Sequence, residues 1–114
     1  MFELTGAGVD QDEQVDHVTW VEHLRRPDMS VGTYSIPVGG TDDQERHTED
    51  EIYIVTAGEA VLVGPDGSIP VRTGSVLFVA ANEPHRFEDV TENLTVIVVF
   101  APAEYSRSPD GPPG

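Results

Sequence analysis

From His17 onward the chain is a succession of short runs rich in β-branched and aromatic residues, each closed by Gly, Pro, Asn or Asp. The runs are His17 to Leu24, Met29 to Pro37, Glu51 to Ala57, Glu59 to Val63, Ile69 to Val71, Ser75 to Ala80, His85 to Glu88 and Leu94 to Phe100. No segment repeats its apolar residues at a helical period, so the spacing predicts an all-β sandwich or small barrel and excludes an α/β fold. Alternation places Tyr34 and Ile36 on one face of the second run, with Val31, Thr33 and Ser35 on the other. Gly58 divides the third run from the fourth, and the two read as partners of a hairpin. Gly64-Pro65-Asp66-Gly67 is a strong turn signal.

At 114 residues there is material for one domain with one core. The boundaries read as an acidic, Gly-containing arm over residues 1–16, a barrel over 17–101, and a Pro-, Gly- and Ser-rich tail over 102–114 that is expected to be disordered. The arm is expected to order, if at all, against the barrel or a neighbouring subunit. Six basic residues, all Arg, stand against 21 acidic ones, for a formal charge of −15. Such a surface repels phosphate backbones and anionic lipid, which excludes nucleic-acid and membrane-surface partners. Cysteine is absent, so any metal must take nitrogen and oxygen ligands. The start of the chain lacks the basic region and apolar run of a secretion signal, and the longest apolar run, Val96 to Ala101, is too short to span a bilayer. A cytoplasmic location is the expectation.

One polar cluster interrupts the strands: Glu45-Arg46-His47-Thr48-Glu49-Asp50-Glu51, followed by Gly58 and later by His85. The run Glu45-x-His47-x3-Glu51-x6-Gly58 resembles the first motif of the cupin superfamily, G-x5-H-x-H-x3,4-E-x6-G. The run Gly74-x5-Ala80-x-Asn82-x2-His85-x3-Asp89 resembles the second, G-x5-P-x-G-x2-H-x3-N. The resemblance covers roughly residues 17 to 101 and implies a double-stranded β-helix barrel of jelly-roll type. It further implies a divalent metal ion in the barrel, held by His47, Glu51 and His85. Two departures matter. Glu45 stands where the family has its first histidine, with Gln44 beside it as a competing oxygen donor. Ala80 and Asn82 replace the proline and glycine of the second motif; Asn tolerates a left-handed backbone better than most residues.

The spacing has its own physical consequence. In one extended strand the Cα atoms of His47 and Glu51 would lie about 13 Å apart at the usual ~3.3 Å rise, so Thr48-Glu49-Asp50 must turn if both are to serve one ion. Beyond that turn the period of two puts Glu51, Tyr53 and Val55 on one face and Ile52, Ile54 and Thr56 on the other. Tyr53 then lines the pocket and is the candidate acid/base group. Phe87 shares the face of His85, and Arg86 does not. With no basic side chain aimed inward, the pocket suits a small neutral or moderately polar ligand. Asp42, Asp43, Glu49 and Asp50 read as loop charge without a role, and His17 and His23 as surface or interface residues.

Two imidazoles and one carboxylate compose the donor set of non-haem Fe(II) sites; adding Glu45 hardens it toward Mn(II) or Fe(II), and Zn(II) fits either. The expected function is therefore a metal-dependent small-molecule enzyme of the dioxygenase, isomerase or lyase kind. The competing expectation is a non-catalytic module that binds a small ligand in the same pocket. Because Ile52 and Ile54 leave the third strand apolar on both faces, a second layer must cover it, and a homodimer is expected.

Overall fold

A computed structural model of the chain describes residues 1–10, 17–42 and 47–108. Six strands carry the fold: β1 Thr19–Arg26, β2 Met29–Ile36, β3 Asp50–Gly64, β4 Gly67–Arg72, β5 Val76–Val79 and β6 Arg86–Ala101. They form one sheet in the order β1-β2-β6-β3-β4, with β5 pairing β3 beside β4, and every pairing is antiparallel. The sheet rolls on itself as a double-stranded β-helix. Among the described residues there is no helix, and none long and apolar enough to cross a membrane.

The two halves of β3 are not hairpin partners, as the position of Gly58 had suggested; they are one 15-residue strand. Gly58 bends it without ending it. Its φ of +94° lies in the left-handed region, and a Cβ there would come within 2.3 Å of the Asn93 carbonyl oxygen on β6. Register shifts between Val55 and Val61 accommodate the same bend, as bulges do in strongly curved sheets. β3 therefore stays paired with β6 along both halves, while its other edge takes β5 first and β4 after the bend. The runs His85 to Glu88 and Leu94 to Phe100 likewise merge into β6. The Gly64-Pro65-Asp66-Gly67 turn joins β3 to β4 as expected.

Alternation sorts the side chains as the sequence predicts. Tyr34, Ile36, Tyr53, Val55, Leu77, Val79, Val96, Val98 and Phe100 point inward and form the core with Leu62, Phe87 and Leu94. On the outer face, register aligns Phe78, Ile52, Val99 and Val31 in one row and Val76, Ile54, Ile97 and Thr33 in the next. The N-terminal arm lies on part of this face: the Gly8 N–H donates to Thr33 Oγ1 at 2.9 Å, and Thr56 Oγ1 donates to the Gly8 carbonyl at 2.7 Å. Val76 and Phe78 remain exposed.

The C-terminal segment departs from the expectation of a loose tail. After a cis Ala101–Pro102 peptide, residues 103–108 turn back against the barrel with Ala103 and Glu104 buried. Burial of Ala103 and hydrogen bonds to Glu49, His47, Ser30 and Arg25 anchor it, contacts that Pro, Gly and Ser content does not reveal.

Candidate functional site

The two motif segments are tied to each other by backbone geometry. Asn82 has a φ of +64°, and its N–H donates to the His47 carbonyl at 2.7 Å. One residue earlier, the Ala81 N–H donates to Asp50 Oδ1 at 2.8 Å. The loop before β6 is thus pinned to the turn before β3, which delivers His85 opposite Glu51.

Glu51 and His85 meet inside the barrel, with His85 Nε2 2.8 Å from Glu51 Oε1. Glu51 is 1% exposed, and neither of its oxygens has a hydrogen-bond donor. The reason is the tautomer of His85. Its Nδ1 lies 2.8 Å from the Glu83 carbonyl, which can only accept, so Nδ1 carries the proton. In the neutral ring Nε2 is then a lone pair, which receives the Tyr53 hydroxyl at 2.9 Å and faces the Glu51 carboxyl group with nothing between. Such a juxtaposition calls for a positive charge, either a proton or a cation. Burial by itself lowers the His85 pKa, but the hydrogen bond that the protonated ring gives Glu51, the Glu83 carbonyl and the charges of Glu51 and Asp42 outweigh it and hold the pKa above the ordinary histidine value.

Tyr53 is fully buried and packs edge-on against Phe87, ring centroids 4.9 Å apart. Its hydroxyl therefore reaches the pair from a fixed ring.

His47 is buried but is not brought into this group. Its Nε2 lies 2.8 Å from Glu104 Oε2, and its ring packs between Phe100 and Tyr105 at 4.7 and 5.3 Å. Its Nδ1 is buried without a hydrogen bond. Among the described residues no three of the His, Asp and Glu side chains converge on a point that could hold a metal ion. Glu45 and Gln44 lie outside the described residues. The fit to a divalent ion is consequently carried by Glu51 and His85: a carboxylate with unused oxygens and an imidazole whose far nitrogen is fixed by an acceptor, the arrangement that orients metal-ligating histidines.

Asp42, Glu49 and Asp50 are not idle loop charge. Asp42 is buried and accepts from the Tyr34 hydroxyl and the Phe87 N–H, both at 2.7 Å. Glu49, 1% exposed, accepts from the backbone N–H groups of Tyr105 and Arg107 and from the Thr48 hydroxyl. Neither Glu49, in the bend before β3 where a period of two sets no phase, nor Glu104, whose partner is 57 residues away, carried a signal in the sequence. Of the outlying histidines, His23 pairs with Thr33 Oγ1 at 2.7 Å and His17 is exposed.

A cleft of about 280 Å³ opens onto His85 at the end of the β3–β4 hairpin. Its walls are Leu62, Ile69, Phe78 and Val79, with Asp66, Ser68 and Glu83 as the polar side chains beside His85. Among the described residues no basic side chain but the histidine lines it, and Tyr53, expected in the wall, does not line it.

The model of the cupin domain matches residues 32–100, more than half of the chain. The chain belongs to the cupin family. An uncharacterized protein of Streptomyces coelicolor, SCO3923, is 40% identical over 85 residues, spanning 75% of this cupin and 81% of that protein. Among solved structures, an RmlC-like cupin with a double-stranded β-helix fold from Methanocaldococcus jannaschii superposes with a TM-score of 0.69 at 16% identity, covering 82% of this chain and 87% of the other. The DMSP lyase DddQ of Ruegeria pomeroyi superposes with the same score at 17% identity, covering 89% of this chain and 54% of the lyase. At such identities the two structures establish the fold and nothing of the activity.

Proposed function

We propose that this cupin is a small-molecule enzyme that uses a divalent cation held in the barrel by Glu51 and His85. The observation that carries the reading is the Glu51 carboxyl group, buried, without a hydrogen-bond donor, and 2.8 Å from an imidazole nitrogen whose ring is already fixed on its other side. An unsatisfied buried charged acceptor costs more than the ~1 to 3 kcal/mol of a neutral one, and a bound cation removes that cost. Fe(II), Mn(II) and Zn(II) all suit a nitrogen and oxygen donor set.

When bound, such an ion supplies polarisation of a substrate oxygen and, for iron or manganese, redox chemistry with dioxygen. The protein groups have separate tasks. The Tyr53 hydroxyl, held by its hydrogen bond to His85 Nε2, is a protic group placed at the pair, and it can give or take a proton on a substrate atom there. Leu62, Ile69, Phe78 and Val79 desolvate a ligand entering the cleft, while Asp66 and Glu83 disfavour anions. Dioxygenase, isomerase and lyase reactions on a neutral or moderately polar substrate are all served by these parts.

A second reading, a non-catalytic small-ligand module, is favoured by the pairing of His47 with Glu104, which among the described residues leaves two of the motif ligands together. Titration of chelator-treated protein with Mn(II), Fe(II) and Zn(II), followed by oxygen-uptake and turnover assays on the loaded protein, separates the two. Stoichiometric binding with turnover supports the enzyme; stoichiometric ligand binding without turnover under any metal supports the module.

A further inference from the structure

The groups that hold His47 away from Glu51 and His85 all belong to, or grip, one short segment. Glu104 takes His47 Nε2 on its carboxylate at 2.8 Å. Its own N–H donates to Ser30 Oγ at 2.9 Å, and its carbonyl accepts from Arg25 at 3.0 Å. Glu49 then takes the next two alternate amides, Tyr105 at 2.7 Å and Arg107 at 2.9 Å. Between them Tyr105 has a φ of +63°, a left-handed conformation that L residues other than glycine rarely adopt. The segment is therefore held by these side-chain contacts against the preference of its own backbone. His47 meanwhile rests on Phe100, and register places Phe100 directly across from Glu51.

We propose that residues 103–107 are a latch, with Glu104 the positioning residue that binds His47 Nε2 and keeps it out of the cation site until the segment lifts. The proposal rests on the cation reading above and deepens it: among the described residues the resting site has two protein ligands, and release of the latch supplies a further one. Linkage makes the effect reciprocal, since a latch that weakens cation binding must itself be weakened by the cation in the same proportion.

The test is Zn(II) titration by calorimetry on wild type, Glu104→Ala, Glu104→Gln, His47→Ala and the His47→Ala/Glu104→Ala double variant. Removing a hydrogen bond to a charged group shifts an equilibrium by roughly ten- to a hundredfold, so Glu104→Ala is expected to bind Zn(II) at least ~10-fold more tightly than wild type. Glu104→Gln, which keeps an acceptor without the charge, is expected to fall between. In the His47→Ala background the Glu104 substitution is expected to bring no gain, a coupling that a merely structural role for Glu104 would not produce. Amide hydrogen exchange over residues 103–108 of wild type is expected to quicken when Zn(II) is added. If wild type binds Zn(II) and Glu104→Ala binds it equally or more weakly, the latch is overturned while the cation reading stands. If no variant binds Zn(II), including the one whose His47 is free, both fall together.

Discussion

Replacing Glu51 with glutamine should change the stability of the metal-free protein in opposite directions on the two sides of the His85 titration. Consider chelator-treated wild type first. Below the ordinary histidine pKa the His85 ring is charged, its Nε2–H donates to Glu51 Oε1 at the observed 2.8 Å, and the pair stabilises the barrel. The folded-state pKa of His85 is raised, so this contribution is complete below the unfolded value and is lost as pH climbs through the folded one. At high pH the proton is gone, and Glu51 faces a lone pair with both oxygens unsatisfied. Glutamine has nearly the same shape but no charge, and the Nε2 lone pair of the neutral ring already receives the Tyr53 hydroxyl. Above the raised His85 pKa, Glu51→Gln therefore replaces an unsatisfied buried carboxylate by a neutral amide, a gain of about 1 to 3 kcal/mol. For a domain of this size that raises the melting temperature by roughly 4 to 10 °C. At pH 5.5 the same substitution loses a charge-assisted hydrogen bond and should lower it by a comparable amount. Thermal unfolding followed by circular dichroism across pH 5 to 9, with chelator present, reads both arms. A destabilisation of equal size at both ends would refute the reasoning, because it would mean that Glu51 is satisfied by a neutral His85.

Gly58→Ala should cost at least ~3 kcal/mol, from the ~1 to 2 kcal/mol left-handed penalty together with the overlap of its Cβ with the Asn93 carbonyl at 2.3 Å, and denaturant unfolding measures it. Asp42→Ala strands the Tyr34 hydroxyl and the Phe87 N–H, so a loss of about 2 to 4 kcal/mol is expected in the same assay, well above that of an exposed acid such as Asp66. The apolar outer rows that end at the exposed Val76 and Phe78 predict a homodimer in solution, with Phe78→Glu a monomer by light scattering. Wild type that stays monomeric at micromolar concentration even in ~1 M salt, where the Debye length is about 3 Å, would remove that prediction.

How much of this was legible beforehand depends on whether the contact is local. Short strands, their faces and the inward phase of Glu51 and Tyr53 follow from a period of two, which is written in neighbouring residues. The left-handed Asn82 was legible for the same reason, since one residue's chemistry decides it. Gly58 misled: glycine at a run boundary reads as a turn, and only the pairing with Asn93 on β6 reveals a bend within one strand. The meeting of Glu51 with His85 was reachable through the paired motifs. The diversion of His47 was not, because it depends on Glu104, whose surroundings of Pro, Gly and Ser resemble a tail until Ala103 and Glu49 anchor it.

Whether Glu51 and His85 hold a divalent cation is decided by crystals of the protein soaked in Mn(II) or Zn(II), with diffraction collected above and below the metal absorption edge. One strong anomalous peak is expected inside the barrel, touching a Glu51 oxygen and His85 Nε2 and absent from crystals of Glu51→Gln. A barrel without a peak at saturating metal, or a peak that touches neither residue, would contradict it.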